Sequence, residues 1–158
     1  MNARDVIAAL DAPSADRREL VKRLEEEAPS SAITGALAGA QRPLTRQIAA
    51  DMLGRRTDVE ASPALIAALR DEDPGVRSSA ADALGKILLA HGPTSAPEAG
   101  TALLAAYAAE DDAGVRHMLI AGLGAARYRE AIPLVRAAAN SDDRALAVTA
   151  RWALERLE

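Results

Sequence analysis

The sequence has no cysteine and no phenylalanine, and it holds only two histidines, one tryptophan and two tyrosines. Without thiols there is no disulfide framework, no iron–sulfur cluster, no thiol nucleophile and no thiolate zinc site. Neither His91 nor His117 has a second histidine or a carboxylate three or four residues on, the spacing that one helical face needs to hold a metal. No metal or cofactor is expected. No phosphate-cradling glycine loop and no Ser-His-Asp set can be assembled either, so catalysis is not expected.

Long apolar runs are missing as well. The charge-free stretches Ala28–Gln41 and Ala99–Ala109 fall short of the roughly 18 apolar residues of a spanning helix. The first residues carry Arg4, Asp5 and Asp11 where a secretory signal would be apolar, so a cytoplasmic location is expected. No strong excess of one charge exists. The formal net charge of −4 divides evenly, with 11 basic and 13 acidic residues in 1–79 and 8 and 10 in 80–158. Neither a nucleic-acid-binding arm nor a polybasic membrane patch is expected. Lys22 and Lys86 are the only lysines among many arginines and alanines, a bias typical of high-GC bacterial genes.

What the chain does have is internal repetition. Ala81-Asp82-Ala83-Leu84-Gly85 recurs as Ala50-Asp51-Met52-Leu53-Gly54, and Arg77 recurs as Arg46, both at an offset of 31. Gly75-Val76-Arg77 and Leu84-Gly85 recur as Gly114-Val115-Arg116 and Leu123-Gly124 at an offset of 39. Glu60-Ala61-Ser62-Pro63 recurs as Glu130-Ala131-Ile132-Pro133 at 70, and Arg17, Leu20 and Leu24 form a weaker first copy. Leu24, Leu53, Leu84, Leu123 and Leu154 therefore share one register. Five units are expected, at about 1–29, 30–58, 59–90, 98–127 and 128–158, with an inserted loop at 91–97 made of turn residues.

Each unit reads as helix, turn, helix. In the third, Pro63 suits a first helical turn, and Leu65, Ile66 and Leu69 form an apolar stripe. Asp71-Glu72-Asp73-Pro74-Gly75 breaks it. Asp73 can cap the next helix, along which Val76, Ala80, Leu84, Ile87 and Leu88 keep helical spacing. A hairpin of about thirty residues cannot bury its own apolar face, so such units must stack.

The string Asp73-x-x-Val76-Arg77-x-x-Ala80-Ala81-x-Ala83-Leu84-Gly85 resembles the short bacterial HEAT-like repeat, related to the repeats of bilin lyase subunits. The resemblance implies an all-α fold, a right-handed α-solenoid of about five stacked helical hairpins, with the second helices lining a concave surface. The first unit lacks the Ala-Leu-Gly ending and the last has Leu154-Glu155, departures suited to polar capping repeats.

Arg46, Arg77 and Arg116, with Asp73, Asp112 and Asp143 at a repeated turn position, read as a structural ladder joining neighbouring turns through ion pairs and carbonyl hydrogen bonds. The acidic run Glu110-Asp111-Asp112 reads as a solvated turn. On the concave stripe, which should form a mixed-charge groove, Asp82 aligns with Lys22, Asp51, Ala121 and Trp152, and Lys86 aligns with Glu26, Arg55, Ala125 and Arg156. Candidate protein-binding residues are Asp51, Arg55, Asp82, Lys86, His117, Trp152 and Arg156. The expected function is a non-catalytic scaffold or adaptor for another protein or peptide segment. The alternative is a lyase or chaperone-like subunit cradling a chromophore or cofactor for a partner protein.

Overall fold

A computed structural model describes all residues from Met1 to Glu158. It is all-α and contains ten α-helices: α1 (Ala3–Asp11), α2 (Arg17–Glu27), α3 (Ser30–Gly39), α4 (Pro43–Arg56), α5 (Ser62–Ala68), α6 (Pro74–His91), α7 (Glu98–Ala109), α8 (Ala113–Ala125), α9 (Ile132–Ala139) and α10 (Arg144–Leu157). No helix is long and apolar enough to cross a membrane. Helix starts follow the sequence chemistry. Asn2 and Asp5 form a capping box, and Asp16, Asp73, Asp112 and Asp143 each accept hydrogen bonds from first-turn amides. Such a cap contributes about 1 kcal/mol. The offset-70 copies also fold alike: α4 and α8 both lead through a left-handed residue, Thr57 (φ 52°) and Arg127 (φ 50°), into a 3-10 turn and then a helix with proline in its first turn.

The helices pair in sequence as an open stack of hairpins sharing one continuous apolar core. Leu24, Leu53, Leu84 and Leu123 are buried in it, whereas Leu154 is half-covered because nothing packs on the outer side of α10. The tightest helix contacts are α4 on α6, α6 on α8 and α8 on α10, while the first helices α3, α5 and α7 touch one another sparsely. Small residues explain the difference. A Cβ added at Gly54 would lie 2.8 Å from Cα and Cβ of Ala83, and one at Gly124 would meet Ala153 at the same distance. One at Gly85 would come within 3.4 Å of Gly122 Cα. The glycine of each Leu-Gly pair thus seats on the residue that precedes the aligned leucine of the next unit. Because the second helices approach closely and the first ones splay, the second helices form the inner, concave arc.

The first hairpin inverts this order. α1 packs closely on α3, where Gly35 leaves room for Ala3 Cβ, whereas α2 stands off α4. Here the glycine register is held by Glu25 and the facing position by Met52, both too large for close approach. Arg56, in the register of the buried Ile87, Ala126 and Leu157, fills part of the gap with polar bonds. It donates to the Ala28 carbonyl at 2.7 Å and to Ser30 Oγ at 2.9 Å, and pairs with Asp58 at 3.0 Å.

An arginine ladder clasps the turn edge. Arg46 donates through Nη1 to the carbonyls of Ala40 and Gln41, and Arg77 to those of Asp71 and Glu72, in each case within its own hairpin turn. The remaining fork reaches the next hairpin. Arg46 grips Asp71 at 2.7 and 2.9 Å, and Arg77 grips Glu110 at 2.7 and 3.0 Å. The carboxylates of Asp73, Asp112 and Asp143 are not these partners; they cap helices instead. Nor is Glu110 a solvated turn residue: its side chain is 7% exposed and also accepts from the amides of Asp111 and Asp112. Arg116 lacks a matching acid because Ser141 takes that register. It donates to Tyr107 Oη at 3.0 Å and stacks over that ring at 4.7 Å. Arg17 keeps only the carbonyl half, donating to Leu10 and Ala12, since Ala40 replaces the acid.

Two measurements test these contacts. Gly54→Val, which must push α4 from α6, is expected to destabilise by roughly 2 kcal/mol. Gly39→Ala, where nothing lies within 4 Å, is expected to gain up to about 1 kcal/mol from helix propensity; equal thermal melts for both would contradict the close-approach account. The ladder predicts acid lability. The Arg77 hydrogen bond holds Glu110 below its ordinary carboxylate value against desolvation. Burial alone would raise Asp71, but the hydrogen bonds from Arg46 and the Asp73 amide and the nearby guanidiniums leave it lowered. Depressed folded values mean that this stability is present above the unfolded carboxylate value of about 4 and is lost as pH falls through the folded values. Arg77→Gln should melt lower at neutral pH by roughly 1–3 kcal/mol and show a shallower loss of stability on acidification.

Candidate functional site on the concave face

Second helices whose axes lie close expose a continuous surface with no intervening loop, and the sequence decides which side chains it presents. Toward the C-terminal end, α6, α8 and α10 bound an apolar cleft of about 140 Å³. Its floor is made by the same small residues that let the helices meet, among them Ala81, Gly85 and Gly122. Its walls are Leu89, Met118 and Trp152. Leu89 is 56% exposed and Trp152 39% exposed, high values for side chains of this size. Trp152 lies against Gly124, and the Arg156 guanidinium carbon stacks 5.1 Å from its ring centroid. That stack holds the indole beside the cleft.

Asp82 and Lys86 border the same cleft and satisfy each other at 2.6 Å across one helical turn. His117 is half-buried between α8 and α10, with a ring nitrogen 3.2 Å from Thr149 Oγ1. Asp51 and Arg55 belong to a separate groove of about 400 Å³ between α2 and α4, where Arg55 pairs with Glu25 at 2.8 Å. Asp82, Lys86, Trp152 and Arg156 thus surround the apolar cleft and Asp51 and Arg55 the charged groove, with His117 committed to a helix contact; a recess of about 360 Å³ between α4 and α6, lined by Arg55, Lys86 and Leu89, joins the two. His91 is the last residue of α6, and its ring lies 3.1 Å from the Thr57 carbonyl oxygen.

Leu89 and Met118 were absent from the sequence-derived set. Leu89 carried a signal: in Ile87-Leu88-Leu89 the first two residues continue the buried stripe, so a third consecutive apolar residue must point away from it. Met118 aligns with the half-buried Ile48 and the buried Ser79, and its register alone does not separate core from cleft.

On the opposite side the splayed first helices leave wider grooves. The one between α5 and α7, about 720 Å³, is walled by Ile66, Leu69, Ala102 and Ala106 and closed by Arg77, Glu110, Asp111 and Asp112. Arg77 is bound by Glu110, while the exposed Arg70 lines the same groove together with Asp71, Asp111 and Asp112. No group of three histidine or carboxylate side chains converges as a metal site.

The model for HEAT repeats matches residues 30–117. Among solved structures, a chain of the CpcE–CpcF complex of phycocyanin lyase from Nostoc sp. PCC7120 is similar to this one with a TM-score of 0.74 and 24% identity. The likeness covers 99% of this chain and 65% of that one, so this chain spans just under two thirds of its neighbour. No match is found among curated proteins. The repeated Leu-Gly seats, the stacked hairpins and the family match over more than half the residues lead to one assignment: the chain belongs to the HEAT-repeat family.

Proposed function

We propose that the chain is a non-catalytic scaffold that binds another protein, or a segment of one, along its concave face, with the cleft beside Trp152 as the anchoring point. The observation that carries this reading is the cleft itself. Exposed aromatic and aliphatic side chains rim a small apolar hollow, and a partly exposed tryptophan held by a neighbouring arginine is the type of side chain that dominates protein interfaces. A hollow of about 140 Å³ accepts a single aliphatic side chain of a partner. The similar fold in a two-protein lyase complex supports a protein partner.

That same likeness favours a second reading, a lyase or chaperone-like subunit that cradles a chromophore for a partner. Size and charge weigh against it. Pockets that enclose cofactor-sized ligands run to roughly 300–1,000 Å³, well above the apolar cleft. The larger groove between α5 and α7 sets the four carboxylates of Asp71, Glu110, Asp111 and Asp112 against the two cations Arg70 and Arg77, a balance that disfavours an acidic chromophore.

Affinity capture from the native host, compared between the unaltered chain and folded variants, tests the first reading. Trp152→Ala, and separately the pair Arg55→Glu with Lys86→Glu, should reduce recovery of the same partner by about tenfold or more, as loss of an interface anchor does. Undiminished recovery by both would remove the concave face from consideration. An absorbance spectrum of the purified chain separates the two readings, since a visible band at stoichiometric strength belongs only to the chromophore-cradling one.

A further inference from the structure

The groove between α2 and α4 differs in kind from the apolar cleft. Four cations line it, Arg17, Arg18, Lys22 and Arg55, against two carboxylates, Glu25 and Asp51. This excess of positive charge sits in a chain whose net charge is −4. Arg55 is engaged by Glu25, and Arg17 by the carbonyls of Leu10 and Ala12. Arg18 and Lys22 are exposed, one helical turn apart on α2, and make no ion pair or side-chain hydrogen bond. Arg18 and Lys22 repel each other at this spacing by a few tenths of a kcal/mol, and neither is held by a partner side chain. Between the charges lie the half-buried side chains of Val21 and Ile48. The groove exists because Glu25 and Met52 keep α2 from closing on α4 as the later second helices close on one another.

We propose that this groove receives an acidic segment of the partner protein, whose carboxylates meet Arg18 and Lys22 and whose aliphatic side chains cover Val21 and Ile48. The proposal rests on the reading of the concave face as a protein-binding surface and gives the partner its chemistry. A nucleic acid fits less well. No aromatic side chain lines the groove to stack on bases, and Glu25 and Asp51 would face the phosphates. Glu25 acts as an internal stand-in for one ligand carboxylate, because it occupies the Arg55 fork that an incoming acid would otherwise take.

The test is fluorescence anisotropy with three probes: a short labelled peptide of glutamates around a central leucine, its glutamine counterpart, and a short single-stranded oligonucleotide. The glutamate peptide should bind, more weakly as salt rises. Arg18→Glu with Lys22→Glu should weaken it by about tenfold or more, and Glu25→Gln should tighten it several-fold by releasing Arg55. Both changes lie on one side of α2, and circular dichroism confirms that the helices persist. Equal binding of the glutamine peptide, tighter binding of the oligonucleotide, or an affinity indifferent to both sets of variants overturns the proposal. If charge reversal leaves partner capture intact while Trp152→Ala abolishes it, the acidic-segment proposal falls and the concave-face reading stands. Loss of neither overturns both.

Discussion

Helix axes can meet at backbone distance only where both surfaces lack side-chain bulk, and in this chain that condition is met at the last three of the four junctions between second helices. Gly54 on Ala83, Gly85 on Gly122 and Gly124 on Ala153 are the same contact made three times. Each pulls two second helices together while the first helices, carrying leucine, isoleucine and valine toward the core, stay apart. A stack that is tight on one side and loose on the other must curve. The concave face, its shallow cleft floored by small residues, and the wide grooves on the far side are consequences of that single asymmetry. The cleft is shallow for the reason that the stack is tight: a floor of glycine and alanine admits close packing of helices and leaves only a small apolar hollow above it.

The arginine ladder plays a complementary part. To the register set by the close-packed seats, a guanidinium that bonds carbonyls of its own turn and a carboxylate of the next adds a directional constraint at the turn edge. Arg46 and Arg77 make both halves of this clasp, Arg17 makes the first alone, and Arg116 turns to Tyr107. The pattern follows the acid register, which reads Ala40, Asp71, Glu110, Ser141 along the chain. Where the acid is present the clasp closes, and where it is missing the arginine finds another acceptor within its own hairpin. The ladder residues are thereby committed to the fold and are not available as an anion-binding row.

Much of this was legible beforehand. Recurrent leucines predicted the shared core, and Asp73-Pro74 predicted a capped helix start, because both signals are local and act at fixed spacing. The identity of the acids in the ladder was not legible. Asp73 and Asp112 repeat in the same way as Asp71 and Glu110, and sequence spacing cannot distinguish a carboxylate turned back to its own helix from one turned toward the next hairpin. For the same reason Asp51 and Trp152, equivalent in register, belong to different surroundings. Register fixes the direction of a side chain from its helix, but the distance to the neighbouring helix decides whether it lines a cleft, a groove or a contact.

That distance changes most at the first hairpin, and the change is written in two residues. Replacing glycine by Glu25 in one second helix and the facing alanine by Met52 in the next removes the close seat, while Gly35 and Ala3 create one between the first helices instead. The local splay is inverted, and the second-helix side opens into a charged groove between α2 and α4. Polar side chains then occupy positions that are apolar elsewhere: Arg56 stands in the register of Ile87 and reaches carbonyls across the gap. A repeat array departs from its own motif at a cost in packing, here α2 with only Leu24 fully buried. In return it obtains a surface of a different chemistry from the cleft at the other end. The second-helix face is thereby graded along its length, from a basic recess at α2 and α4 to an apolar one at α6, α8 and α10.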